Sequence, residues 1–380
     1  MHNDGAPGAK VTTGASLTTT RGTAVVGGGF FGACAALELA ARGDSVDLFE
    51  RGRTLLGGTS GHNSRRLHSG FHYPRSPETV TEIQKSVEEF RRRFPEAVVD
   101  GARHYVAIAR EGSRVGSDAY LRFCDAFDLK YREEWPSFLR REAVDISIRI
   151  EEAMIDLDAL RRVCLGRLER SGVRVLFGRP ATAADLARYR QIVVAAYTSE
   201  NLVRLELTGT VEPLRFDVYE LPIVELPSEY DRTSVLILDG PFVNLAPFDD
   251  NGGFVLGDVS HGIRATTVGI SPLIPANLSD SVDRGVVREV VHNSARSRFG
   301  AFVGAGRRYF AGFEKARHLG SIFSVRAVLP SAESTDSRAT KVRRIDDRVV
   351  LVFGGKLAAA ILAARQAADL VEAATPSVLA

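Results

Sequence analysis

The sequence predicts an α/β fold whose two ends build one layer and whose middle is mainly antiparallel β. Three observations predict it. Within residues 23–50 a strand, a glycine turn, a helix and a second strand follow one another, which is one βαβ unit. From about 213 to 326 the helical period fades into short apolar runs broken by Pro, Gly and Asp. The chain then returns to a strand over 349–353, a Gly354-Gly355-Lys356 turn and a helix to about Ala373.

Taken in order, residues 1–20 lack groups able to bury surface and read as a disordered tail. They also lack an apolar core of the kind a signal peptide carries. Residues 23–27 form the first buried strand, 32–42 an Ala-rich helix and 45–50 the second strand. The stretch 57–76 is polar and irregular. Ser76 and Pro77 then start a helix with Val80, Ile83, Val87, Phe90 and Phe94 on one face, and Pro95 stops it. Tyr120, Phe123, Cys124 and Phe127 mark another helix. Leu157, Leu160, Cys164 and Leu168 mark a third, closed by Gly172 and followed by strands over 173–177 and 191–196. Inside the β region, runs at 218–221, 234–238 and 254–257 are strands, and Asp249-Asp250-Asn251-Gly252-Gly253 is a hairpin turn rather than a metal loop.

A chain of 380 residues has room for two or three domains. Lys+Arg 49 against Asp+Glu 47 leaves a net charge of +2, too little for a dedicated nucleic-acid binder. Cys34, Cys124 and Cys164 are odd in number and lack C-x-x-C spacing, so they read as small buried hydrophobes of a reducing compartment. No metal site is expected. The longest relevant apolar run, 357–364, is far short of the ~18 residues of a membrane span. A cytoplasmic protein is the expectation.

Gly27-Gly28-Gly29-Phe30-Phe31-Gly32 fits the G-x-G-x-x-G pattern, and its context makes the fit specific. It follows a strand, opens a helix and is followed by Glu50 at the end of the second strand. Gly27 makes the tight turn, Gly29 lets backbone approach a pyrophosphate, and Gly32 allows close helix–strand packing. The helix N-terminus offers amides to the same anion. Glu50 can accept hydrogen bonds from a ribose diol. Arg51 could suit a 2′-phosphate, so the fingerprint alone leaves the choice of dinucleotide open.

Three more segments carry a resemblance. They are the loop Gly58-Thr59-Ser60-Gly61-His62-Asn63-Ser64-Arg65-Arg66-Leu67-His68-Ser69-Gly70, the run Met154-Ile155-Asp156-Leu157-Asp158, and the closing Gly354-Gly355-Lys356-Leu357. Together with the fingerprint they resemble the D-amino-acid-oxidase-like (DAO) superfamily of FAD-dependent oxidoreductases, from about residue 21 to 373. The resemblance implies a Rossmann-like FAD-binding domain of the glutathione-reductase type, discontinuous in sequence. It would comprise 21–80, 145–212 and 326–380, with 81–144 and 213–325 forming the substrate domain. It implies one FAD, held without a covalent link: no Cys lies near 354–356 for a cysteinyl bond, and a histidyl bond through His62 or His68 is the alternative. Gly27, Gly29, Phe30, Phe31, Gly32, Glu50 and Arg51 would bind it. So would Thr59, Ser60, Asn63, Ser64, Arg66 and Leu67 of the loop, and Gly354, Gly355, Lys356 and Leu357 of the closing turn. The chain departs where Tyr197 stands in place of the family's glycine, and where Arg326-Ala327, with Pro330 slightly later, stands in place of the Arg-Pro pair of many members.

A flavoprotein site must hold a C–H bond and accept a proton. His68 and His72 bracket a short turn beside the cofactor loop, with Tyr73 next, and either His could take a proton from an alcohol. Arg326 matches the place where glycine-oxidase-like members hold a substrate carboxylate. Arg215 and His261 are further lining candidates. The expected substrate is therefore a small polar, anionic molecule: an amino acid, a hydroxy acid or an amino sugar. A specialised-metabolite or carbohydrate pathway is the setting. Two alternatives stay open: an NAD(P)-dependent dehydrogenase, and a catalytically silent flavin-binding module.

Overall fold

A computed structural model describes residues 21–248, 252–330, 338 and 340–374. The expected tail (1–20) and the tip of the expected hairpin turn (249–251) lie outside the described residues.

The opening unit is strand β1 (Arg21–Val26), helix α1 (Phe30–Ala41) and strand β2 (Val46–Phe49). β1 pairs in parallel with β2 on one side and with Tyr189–Val194 on the other. Beyond those lie Arg174–Leu176 and Val349–Phe353, also parallel, with Lys341–Arg344 antiparallel at the edge. The strand near the chain's end therefore completes the sheet that the first residues start.

α1 and the final helix Ala360–Ala373 pack on this sheet through small residues: Ala33 and Ala36 on one, Ala360, Ala364 and Ala367 on the other, all in one core. Small side chains permit that close approach. At the start of α1 the fit is tighter still. A Cβ on Gly32 would stand 1.8 Å from the Gly27 carbonyl oxygen.

Helix α2 (Pro77–Arg93) starts at Pro77 and ends before Pro95, as its punctuation predicts. Its Phe90, with the following Phe94, meets Phe30 edge-on at 5.7 and 5.2 Å. The C-terminal half of α2 thus belongs to the core of the six-stranded sheet.

The second sheet has ten strands. Its spine is the antiparallel pair Leu214–Glu225 and Arg317–Val328. Thr233–Leu238 runs parallel to Arg103–Ala109, which in turn pairs with Val144–Ile150. The last two strands have no counterpart in the sequence reading. Arg103–Ala109 is buried from His104 onward, and a short continuous apolar run shows no period-2 alternation. By sheet membership 144–150 sits with the insert, and by packing α2 sits with the first layer.

The three cysteines are buried and unpaired. Among the described residues no helix is long and apolar enough to cross a membrane.

Gly32→Ala is expected to cost about 3 kcal/mol or more, because overpacking against rigid backbone cannot relax by side-chain movement. Gly300→Ala, at a helical glycine with open space around it, is expected to be neutral or slightly stabilising. Thermal melts of the two variants check both.

Candidate functional site

A cavity of about 480 Å³ opens at the carboxyl ends of the parallel strands, between Val26, Phe49, Ala195 and Phe353. That is where ligands gather in an open α/β sheet. The sequence-predicted residues on its wall are Gly27, Gly29, Phe31, Glu50, Arg51, Thr59, Ser60, Asn63, Ser64, Arg66, Leu67, His68, Arg326, Gly354, Gly355, Lys356 and Leu357.

At one end the wall is bare backbone. A Cβ on Gly29 would meet only Ser60 Oγ, at 3.3 Å. Glu50 is fixed by two amides: Gly28 N donates to Oε2 at 2.6 Å and Gly52 N to Oε1 at 2.5 Å. Each carboxylate oxygen keeps a lone pair for a further donor such as a ribose hydroxyl. The cradle therefore fits a dinucleotide. Ser60 Oγ caps the first amide of α1, accepting from Phe30 N at 3.1 Å, and Asn63 ties the loop to the carbonyls of Thr59 and Ser60 at 3.3 and 3.0 Å.

At the other end stand His68, Arg326, Arg338 and Lys356. Arg326 Nε donates to Asp217 at 2.9 Å, and Arg215 Nε donates to the same carboxylate at 3.0 Å. Burial alone would raise the Asp217 pKa, but Arg326 and the hydrogen bonds hold it below the usual range. Behind His68 lies a buried ion pair, Arg66 on Glu152 at 2.5 Å, with Ser69 N on the other carboxylate oxygen at 2.8 Å. His68 Nδ1 is 3.9 Å from Glu152 and makes no hydrogen bond. Burial, then Lys356 and Arg66, keep the His68 pKa well below its usual value, so the ring is neutral. His72 is held down in the same way by burial, Lys356 and Arg66. His104, completely buried with neither ring nitrogen bonded, is lowered to about 3 by burial and by Arg66.

Several expectations need correction. The Phe30 side chain points into the core against Phe90 and Phe94, so only its backbone borders the loop. Gly32 is spent on packing and does not reach the cavity wall. His72 and Tyr73 do not line the cavity either. Gly70, at φ +116°, turns the chain, and the two rings stack at 4.9 Å behind His68 and Lys356. Lys356 Nζ sits 4.7 Å over the Tyr73 ring. Arg51 is on the wall, and its Nη2 donates to the carbonyls of Asp283 at 2.7 Å and Arg284 at 3.2 Å. Those carbonyls belong to a two-stranded hairpin, Val282–Asp283 with Val286–Val287, that covers part of the cavity. Arg215 is not on the wall and donates to Asp217. His261, bonded to Asp258 at 2.9 Å, is not on the wall. Sequence reasoning missed Glu152, His104, Asp217 and Arg338. Glu152 and Asp217 matter through an arginine distant in the chain, and no local pattern marks any of the four.

Residues 23–370 match the family model described as DAO, FAD dependent oxidoreductase. The FAD-dependent monooxygenase FPY4 of Fusarium mangiferae is 26% identical over 265 residues, which cover 65% of this chain and 69% of that protein. Glycine oxidase from Geobacillus kaustophilus shares the fold with a TM-score of 0.65 at 16% identity, over 93% of this chain and 95% of that one. L-α-glycerophosphate oxidase from Mycoplasma pneumoniae, solved with FAD bound, gives 0.70 at 16% identity, over 93% and 94%.

The lowered histidines, His68, His72 and His104 among them, make stability pH-dependent. The unfolded chain protonates them near pH 6.5, whereas the folded chain keeps them neutral, so stability is full above about 6.5 and falls below it. For His104 the loss continues down to about 3. His104→Leu is expected to shrink the stability drop between about pH 7.5 and about pH 5.5 by up to about 1.4 kcal/mol. Urea unfolding at both pH values checks it; an unchanged drop would show that folded His104 takes up its proton.

Proposed function

This chain belongs to the DAO family of FAD-dependent oxidoreductases, and from that premise we propose that it oxidises a small anionic substrate at a C–H bond beside an amine. FAD is the cofactor, so the NAD(P)-dependent alternative falls away. Gly27, Gly29 and Glu50 would hold its dinucleotide part, and Gly354, Gly355, Lys356 and Leu357 its ring. When bound, FAD supplies the hydride acceptor. The two-domain division remains part of the proposal, with the ten-stranded sheet as the substrate side.

The observation that carries the reading is the charge layout of the cavity. Among the described wall residues the carboxylates are Glu50 and Glu206. Glu50 closes β2, and Glu206 lies on the helix whose Val203 packs with Phe49 at that same end. Arg51, Arg179 and Arg284 share that end with the carboxylates, whereas the opposite end presents Arg326, Arg338 and Lys356 with no carboxylate on the described wall. An anionic substrate would be drawn to that end, and Asp217 fixes Arg326 by one nitrogen without removing its charge. An amine can enter already neutral and needs no base from the protein.

One observation favours an alcohol instead: His68 is neutral and lies on the wall. Such a ring can take a hydroxyl proton as hydride leaves.

Two variants separate these readings by stopped-flow flavin reduction without oxygen, against amino acids, hydroxy acids and amino sugars. Arg326→Ala is expected to weaken substrate binding by about 30-fold or more while sparing the flavin spectrum, as loss of a buried charge-assisted contact does. Unchanged affinity would retire the anionic substrate. His68→Asn is expected to keep most of the reduction rate with an amine. A fall of about 10²–10⁴-fold would establish the alcohol. No reduction by any of the panel would favour a silent flavin-binding module. Product analysis under labelled oxygen separates dehydrogenation from the oxygen insertion implied by the name of FPY4.

A further inference from the structure

We infer that Tyr197 is a positioning residue: together with Thr59 it clasps the strand edge on either side of Arg326 and so sets that guanidinium against the cofactor cavity. The inference rests on the reading of Arg326 as the residue that holds the substrate's anionic group.

The clasp is visible in the backbone of the strand Arg317–Val328. Along its inner edge this strand pairs with Leu214–Glu225, Arg326 standing opposite Asp217 and Ala327 opposite Phe216. Residues 325 and 327 are two apart, so their outward backbone groups lie along one edge. Thr59 Oγ1 donates to the Val325 carbonyl at 3.0 Å. Tyr197 does more. Its hydroxyl donates to the Ala327 carbonyl at 3.0 Å and accepts from the Ala327 amide at 3.0 Å. A phenol is both donor and acceptor, so one side chain takes the place of a neighbouring strand at that residue. The residues before and after Arg326 are thereby pinned, each by a hydroxyl from a loop of the six-stranded sheet.

The local conformation supports a dedicated role. Tyr197 has φ +47°, a conformation glycine adopts freely and tyrosine rarely. It is retained where ring and hydroxyl are both engaged: the ring lies 5.7 Å from Phe353, and the residue lines the cavity. Burial pushes its pKa up to about 12, so the hydroxyl keeps the proton it donates.

The test uses the FAD-loaded protein and a simple carboxylate probe, benzoate or glycolate, titrated by its perturbation of the flavin spectrum. Amide hydrogen exchange at residues 325–328 is the second readout. Tyr197→Phe is expected to retain FAD, to weaken carboxylate binding about tenfold and to speed exchange at the Ala327 amide about tenfold, the worth of one or two lost hydrogen bonds. Tyr197→Gly, which suits the backbone conformation, is expected to show the same two losses and covers the case in which the Phe variant folds poorly. Arg326→Ala is expected to lose the probe while Ala327 exchange stays slow. If Arg326→Ala loses the probe but both Tyr197 variants bind it as wild type does, the positioning role is overturned while the reading of Arg326 stands. If Arg326→Ala binds the probe normally, that reading fails and the inference fails with it.

Discussion

Everything near the cofactor cavity depends on one steric contact, the approach of Gly32 to the carbonyl of Gly27. With no Cβ in the way, α1 lies directly against β1, and its first turn reaches the carboxyl end of the sheet. Three other features follow from that placement. Ser60 can reach the first amide of the helix, Glu50 can reach the amide of Gly28, and Phe30 is carried into the aromatic cluster that anchors α2. Moving the helix outward would break all three together. A glycine contact of this kind contributes little attractive energy itself; it fixes where the attractive contacts can form.

The opposite end of the cavity obeys an electrostatic constraint. Arg66 and Glu152 are both withdrawn from water, whereas Arg326 stays 29% exposed on the wall and only its partner Asp217 is buried; Ser69 N and Thr266 Oγ1 add donors to the two carboxylates. A buried pair of this sort adds little net stability, but removing one partner leaves a costly lone charge. Burial, with the local excess of cations, also explains why His68 and His72 are neutral where a solvent-exposed histidine would be partly charged.

Much of this was legible in the sequence, for local reasons. The βαβ unit, the stop at Pro95, the closing strand and the glycine turns follow from spacing and backbone sterics within a few residues. Two continuous stretches that line the cavity, within 58–68 and 354–357, were legible as well, whereas the wall segments around 180, 199 and 285 were not. Contacts between distant segments were not legible. Arg326 and Asp217 lie on partner strands, Arg66 and Glu152 meet through a short ladder, and Arg51 is captured by a hairpin from the insert. His72 shows the same limit at short range. It lies four residues after His68, yet the positive φ of Gly70 turns it behind the wall. Tyr197 is the reverse case: a residue that breaks the local expectation for glycine proves to hold a strand edge.

The position of Val349–Phe353 bears on how the chain assembles. This strand pairs in parallel with Ile192–Val194 at the heart of the first sheet, and the helix after it covers α1. Until those last residues leave the ribosome, Tyr189–Val194 has an open edge and α1 an uncovered apolar face. The nucleotide layer, although begun by β1, can close only after the intervening β insert has been synthesised. Long-range parallel pairing of this kind folds slowly and leaves strand edges open to wrong partners in the meantime.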